Sequence, residues 1–229
     1  MSIKNIIILI LFITSLIFYY QITEPTSELT TAKVIRVIDG DTIQIEDKTK
    51  IRLLGINTPE RHQPYYQEAK NFLINLVQNK TIQIENHGQD KYKRTLAYIF
   101  QNNKNINKLI IQNGLATLYY YQKDKHYQAL KEAEEFARNN KLALWKKSPN
   151  SHCIQITKFK TDEPELLILQ NSCQFQINLT YKDDASHIYN AIIKPNSQYT
   201  KNFSHIWNTN GDSIYIYNDK GLILFYRYK

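Results

Sequence analysis

Six side chains able to hold a cation or a phosphodiester stand at strand ends and turns in the first half of the chain: Asp39, Asp41, Arg52, Asn57, Glu60 and Arg94. Asp41 opens a β-rich run after the turn Asp39-Gly40-Asp41, and Asn57-Thr58-Pro59-Glu60 closes another, so antiparallel pairing can bring both ends to one rim. Carboxylate, amide and backbone carbonyl oxygens suit a hard cation such as Ca2+, and the set offers no His or Cys for a softer metal. Arg52 alternates with Ile51 and Leu53, which frees its guanidinium to grip a phosphate through two parallel hydrogen bonds, a geometry lysine cannot copy. Each feature taken singly has an ordinary explanation: Asp-Gly is the commonest hairpin signal, Pro59-Glu60 can start a helix, and Arg52 or Arg94 can form surface ion pairs. Their order along the chain is the stronger signal.

The elements that must carry these residues can be read from periodicity. Residues 33–38, 42–46 and 50–56 predict three hairpin-linked strands. Pro64 then opens a helix whose stripe Ala69, Phe72, Leu73, Leu76 and Val77 ends at Asn79. Residues 81–85 and 95–100 predict two more strands joined by a turn at 86–90. A short helix over 106–112 stops at Asn113-Gly114, a longer one over 123–140 turns Leu130, Ala133, Phe136 and Ala137 inward, and residues 142–145 close it. Five strands with a helix after the third predict a mainly β, OB-type Greek-key barrel with about three helices, an architecture that commonly binds nucleic acid. From residue 154 onward short strands with polar turns (154–159, 165–169, 175–179, 188–193, 213–218 and 222–228) predict a separate β-sandwich after a linker at 148–151.

The chain has 229 residues, 42% of them hydrophobic, with 6 Gly and 6 Pro, which excludes general disorder and collagen-like or linker-like classes. Its formal charge of +8 is concentrated in residues 32–147, which hold 20 basic and 12 acidic residues and so suit a polyanionic partner. Residues 6–20 form an apolar run behind Lys4, read as a signal peptide or membrane anchor over 1–22, with 23–31 as a tether. No A-x-A site precedes Ala32, which favours an uncleaved anchor and an extracytoplasmic body. Cys153 and Cys173 are the only cysteines, and a disulfide or two buried thiols are both open.

Five ordered motifs, Asp39-Gly40-Asp41-Thr42, Arg52 to Glu60, Asp90-Lys91-Tyr92-Lys93-Arg94, Gly114-Leu115-Ala116 and Leu142-Ala143-Leu144-Trp145, resemble those of the staphylococcal nuclease (thermonuclease) family over residues 32–147. The resemblance implies an OB-fold, Ca2+-dependent phosphodiesterase that cuts DNA and RNA with little sequence preference and leaves 3′-phosphates. It implies Asp41, the Asn57 side chain and the Thr58 carbonyl as Ca2+ ligands, with Asp39 supporting the metal through water. Glu60 is implied as general base, Arg52 and Arg94 as phosphate-binding groups, and Lys91, Tyr92 and Tyr120 as nucleotide contacts. Three residues depart from the pattern: Asn57 stands in place of Asp and predicts weaker Ca2+ binding, Lys93 in place of Gly predicts a re-aimed turn, and Gln122 in place of a second stacking Tyr.

In the last third, Glu165 to Asn171, Ile206-Trp207-Asn208 and Gly211 to Tyr215 resemble a lamin tail domain, an immunoglobulin-like sandwich at 152–229. Trp207 is read there as core, Gly211-Asp212 as a turn, and the domain as a non-catalytic accessory module. The expected protein is an exported or membrane-tethered monomeric nuclease acting on single-stranded or frayed DNA and RNA. The alternative is an OB module that holds single strands through Lys, Arg and Tyr without cutting them. Retention of Asp41, Glu60, Arg52 and Arg94 together argues against that alternative.

Overall fold

The structure is a computed structural model that describes residues 4, 5, 10, 12–15 and 29–228, apart from 121, 186 and 210. Most of the expected anchor and tether lies outside the described residues. Among those described, no helix is long and apolar enough to cross a membrane.

The first domain is built on β1 (Leu29–Val37), β2 (Thr42–Ile45), β3 (Lys50–Leu53), β5 (Thr81–Gln89) and β6 (Thr95–Gln101). They run in the order β3-β2-β1-β5-β6, and a parallel β3–β6 pairing, with Ile51 opposite Thr95, closes them into a five-stranded barrel. Short strands β4 (Ile56–Asn57) and β8 (Thr117–Leu118) pair beside it, and β7 (Lys104–Asn105) extends β6. Helices α1 (Tyr66–Val77), α2 (Ile106–Gln112) and α3 (Tyr127–Asn139) cover it, burying Ala69, Leu73, Ile110, Leu130 and Ala133 against Val34, Ile43, Leu53 and Ile99. β1 begins at Leu29, inside the expected tether, because residues 29–31 find main-chain partners along β5.

Closure of the barrel depends on a residue that periodicity does not single out. Asn107, fully buried at the start of α2, donates through Nδ2 to the carbonyls of Leu54 (2.8 Å) and Ala97 (3.2 Å) and accepts Ile99 N–H at 3.1 Å. It thereby ties the end of β3 to β6 across the parallel seam. Asn107→Leu keeps the volume but strands the Leu54 carbonyl and the Ile99 N–H, each costing about 1–3 kcal/mol when left unpaired, and takes from the Ala97 carbonyl one of its two donors, the other being Leu54 N–H at 2.9 Å. A loss of at least about 2 kcal/mol is expected by urea denaturation.

The second domain comprises β9 (Ile154–Lys160), β10 (Glu165–Asn171), β11 (Ile177–Lys182), β12 (Ile188–Ile193), β13 (Gln198–Phe203), β14 (Asp212–Asn218) and β15 (Gly221–Tyr228). Sheets β13-β10-β9 and β12-β11-β14-β15 pack Leu167, Leu169, Leu179, Tyr181, Ile193, Ile214 and Ile216 between them, an immunoglobulin-like sandwich. Trp207 is core, edge-on to Phe159 and Phe203. Cys153 and Cys173 form a disulfide.

The two domains are not separated by a free linker. Ser148 is buried and donates its N–H to Leu222 at 2.8 Å, and Leu222 N–H returns to Lys146 at 2.8 Å. Ala137 and Trp145 of the barrel domain share a small core with Tyr215 and Leu222 of the sandwich. This contact also corrects the expected face of α3. Phe136 is 48% exposed, whereas Glu134 is fully buried, accepting Leu118 N–H at 2.7 Å and pairing with Arg227 of β15.

Candidate active site

The turn between β1 and β2 is held by Ile38 N–H donating to Thr42 at 2.9 Å, and it presents Asp41, 6% exposed, at the rim. Gly40 serves close approach here: a Cβ on it would lie 2.8 Å from Thr58 Oγ1 and 2.9 Å from Ala69 Cβ. Its bareness lets residues 57–58 reach Asp41. Asp41 Oδ2 accepts both the N–H (2.9 Å) and the hydroxyl (2.8 Å) of Thr58. Asp41 Oδ1 faces Thr42 Oγ1 and Arg52 Nε, each at 3.2 Å. Arg52 also donates from Nη2 to Asn57 Oδ1 at 3.3 Å. The guanidinium thus lies between the Asp41 carboxylate and the Asn57 amide oxygen, a cation already drawn to the point where the two oxygens converge. An oxygen set of this kind fits a hard cation.

Asp39 lies beside the set, its Oδ1 accepting Asp41 N–H at 3.2 Å. Burial, then the neighbouring Asp41 carboxylate, pushes its pKa from 3.8 up to about 6. Glu60 is exposed at the start of the turn that leads into α1, where its N–H donates to Gln63 Oε1 at 2.7 Å. Helix α1 starts at Tyr66, two residues beyond Pro64, because Tyr65 is left-handed (φ 68°).

The structure does not bring Arg94 to this cluster. Its Nε and Nη2 both bind Asp90 Oδ2 at 2.7 Å, on the turn that also carries Tyr92, 68% exposed. Lys91 Nζ and the Arg94 guanidinium lie 5.1 and 5.5 Å from the Tyr92 ring centroid. At this turn Lys93, in the place of the motif's glycine, takes the left-handed conformation itself (φ 62°), and Asp90 Oδ1 anchors the N–H groups of Tyr92 and Arg94 at 2.9 and 3.0 Å. The Asp90 side chain caps the turn through these bonds and holds Lys93 in a conformation that glycine adopts more readily.

Tyr120 lines a cleft of about 470 Å³ between the domains, together with Tyr119, Lys123 and Tyr127 of the barrel and Asp183, His187 and Asn208 of the sandwich. Its hydroxyl donates to Asp124 Oδ1 at 2.8 Å and meets the Tyr98 hydroxyl, which itself donates to Asp124 Oδ2 at 2.8 Å. Asp124 Oδ1 also takes the N–H groups of His126 and Tyr127, which delays α3 to Tyr127 instead of the expected 123. The His126 ring lies 4.0 Å from that of Tyr98 and points Nε2 at Glu85 Oε1, 3.1 Å away. Behind Tyr120 there is therefore a continuous polar support.

Glu85 anchors that support through His87 Nε2 (2.7 Å), Lys125 Nζ (3.0 Å) and His126. The carboxylate and two imidazoles are close enough to share a metal ion, but Lys125 already sits on the carboxylate. Burial alone would raise Glu85, yet bonds from His87, Lys125 and His126 hold it near 2, below its ordinary 4.5. A folded-state pKa below the unfolded one contributes stability above pH 4.5 that is lost as the pH falls from 4.5 towards 2. The shift corresponds to roughly 3 kcal/mol. Thermal melts between pH 6 and pH 2.5 should fall steeply for the parent and less so for Glu85→Gln.

One approach to the rim is not expected from the sequence, because it comes from the sandwich. Asn57 Nδ2 donates to the carbonyls of Ala185 (2.8 Å) and Asp184 (3.2 Å). Lys182, at the end of β11, is half-buried with Nζ 5.4 Å from the Tyr215 ring centroid. Burial lowers its pKa against the opposing pull of Asp184, Asp183, Glu60 and Asp41, so the rim carboxylates act on it across the domain boundary. The last third thus brings two main-chain carbonyls up to the oxygen set of the barrel rim. The only signal for this in the sequence is Asn57 itself, an amide where the motif otherwise holds a carboxylate.

A basic five-stranded OB barrel with a hard-oxygen set and an arginine on one rim is the constitution of a protein that handles phosphodiesters. The profile of the staphylococcal nuclease homologue family matches residues 50–147. An uncharacterized endonuclease of Haemophilus influenzae is 32% identical over 138 residues, covering 58% of this chain and 76% of the relative. The thermonuclease of Staphylococcus hyicus is 35% identical over 127 residues, 50% of this chain and 75% of the relative. An uncharacterized endonuclease of Escherichia coli O157:H7 is 33% identical over 118 residues, 49% and 75% respectively. The chain belongs to the staphylococcal nuclease family.

Proposed function

We propose that this protein is a Ca2+-dependent nuclease that hydrolyses phosphodiester bonds of DNA and RNA with little sequence preference, acting on single-stranded or frayed polynucleotide as an extracytoplasmic monomer. The observation that carries this reading is the meeting of Asp41, Arg52, Asn57 and Thr58 at one rim point of a basic barrel. Asp41, Asn57 Oδ1 and the Thr58 carbonyl would hold Ca2+, which when bound supplies positive charge to a non-bridging phosphate oxygen.

The remaining work falls to side chains. Glu60, exposed to solvent beside the set, accepts a proton from the attacking water. As water oxygen bonds to phosphorus, the bond to the 5′ oxygen breaks and that oxygen takes a proton from solvent, leaving a 3′-phosphate and a 5′-hydroxyl. Arg52 exchanges its contacts with Asp41 and Asn57 for the phosphate, and Arg94 must give up Asp90 in the same way. Both then neutralise the extra negative charge of the five-coordinate phosphorus. Lys91 and Tyr92 flank the incoming strand, and the supported Tyr120 ring offers a stacking surface.

The apolar run at residues 6–20 and the Cys153–Cys173 disulfide support export or membrane tethering, since disulfides persist in oxidising compartments. The C-terminal sandwich serves as a lamin tail-like accessory module. End-group analysis of digested single-stranded DNA and RNA tests the chemistry: 3′-phosphate and 5′-hydroxyl ends are expected on both. Substrate retarded on a gel but left intact would favour the binding-only module.

A further inference from the structure

Asn57 is the member of the cation set that faces two domains at once. Oδ1 accepts Arg52 Nη2 on the barrel side, and Nδ2 donates to the carbonyls of residues 184 and 185 on the sandwich side. Only one orientation of the amide satisfies both neighbours, because the reverse would set NH2 against a guanidinium and oxygen against two carbonyls. A carboxylate at this position would have no proton to offer those carbonyls, leaving like partial charges in contact at a residue that is 9% exposed.

The segment that supplies the carbonyls is itself fixed. Asp184 N–H donates to Asp212 Oδ1 at 3.1 Å, and the Asp184 carboxylate accepts the Tyr215 hydroxyl at 2.7 Å and Ser213 Oγ at 3.1 Å. Asp212 is 2% exposed, and Tyr215 is fully buried in the core shared with Trp145 of the barrel domain. A rigid path therefore runs from the interdomain core to the Asn57 side chain.

We propose that residues 184–185 of the C-terminal domain are a positioning element of the cation site, their two carbonyls turning the Asn57 amide so that Oδ1 faces the cation position beside Asp41. The proposal rests on the calcium reading above. It gives residue 57 a reason: an amide both binds a cation through oxygen and accommodates a second domain through nitrogen, so the exchange of Asp for Asn and the docking of the sandwich belong together. The accessory sandwich, without supplying a catalytic group, then helps to position the nuclease site.

The test uses the full chain with Asp212→Ala, Tyr215→Phe and Asn57→Asp, measuring Ca2+ affinity by calorimetry and amide hydrogen exchange over residues 183–187. The atoms removed by the first two changes touch no member of the barrel's cation set. Both are expected to speed exchange in the segment and to weaken Ca2+ binding about tenfold, the lower end of what loss of an outer-shell partner costs a metal site. Asn57→Asp is expected to speed exchange in the segment without the tighter Ca2+ binding that an added carboxylate would give an open site. Faster exchange with unchanged Ca2+ affinity overturns the proposal. So does unchanged exchange in all three variants, or an Asn57→Asp chain that binds Ca2+ more tightly while the segment stays protected. If Asp212→Ala does not fold, Tyr215→Phe takes its place, since the ring preserves the packing. A parent chain that binds no Ca2+ refutes the calcium reading instead, and exchange in Asn57→Asp then decides whether the contact itself exists.

Discussion

Glu60→Gln is expected to slow cleavage of single-stranded DNA by on the order of 10²–10⁴-fold, the range in which a positioned general base contributes to turnover. The substitution keeps the shape of the side chain and removes its capacity to take a proton. The structure isolates that effect well. Glu60 is exposed, so no packing is lost, and it holds the turn through its main-chain groups: its N–H donates to the Gln63 side-chain Oε1 at 2.7 Å and its carbonyl accepts Gln63 N–H at 2.9 Å. The melting temperature and the affinity for DNA, measured by anisotropy in chelator, should therefore match those of the parent. Turnover within a few-fold of the parent would remove Glu60 from the mechanism.

The largest effect on stability is expected from Arg227→Met. Glu134 is fully buried on α3, with Leu118 N–H on one oxygen and the Arg227 guanidinium spanning both. Removing the arginine leaves an ionised carboxylate buried at the domain boundary, a loss worth about 3–5 kcal/mol. Arg227 also donates to Ser213 Oγ (2.7 Å) and the Tyr215 hydroxyl (3.1 Å), so its loss loosens the segment that approaches Asn57. Urea denaturation should show the drop, and the double variant Glu134→Gln with Arg227→Met should recover part of it, because the buried charge is then gone. A single Arg227→Met change costing under about 1 kcal/mol would mean that the pair is solvated and the interface weak.

The barrel and much of the rim are legible in the sequence because they depend on local signals. Alternation across β2 and β3, the Asp-Gly turn and the stripe of α1 suffice to bring Asp41, Arg52, Asn57 and Thr58 to one place. What a second domain imposes is not legible. The periodicity of α3 points Phe136 inward, since it cannot know that the flank carrying Glu134 meets Arg227. Residues 148–151 read as a linker because a Pro-Asn-Ser composition carries no trace of the bond from Ser148 to Leu222 or of that from Leu222 to Lys146. Strand β13 escapes notice because, of its six residues, only Phe203 is buried. Arg94 illustrates a different limit: its motif is intact, but whether its guanidinium rests on Asp90 or on the Asp41 cluster depends on the shape of a turn that Asp90 itself anchors.

The central claim is that the rim of Asp41, Asn57, Thr58 and Glu60 cuts polynucleotide with the help of a hard cation. It is tested most directly by incubating the purified chain with labelled single-stranded DNA in Ca2+ and, in parallel, in a calcium chelator. Fragmentation in Ca2+ that stops in the chelator and returns when Ca2+ is restored is the expected result; equal cleavage in both, or intact DNA in both, contradicts it.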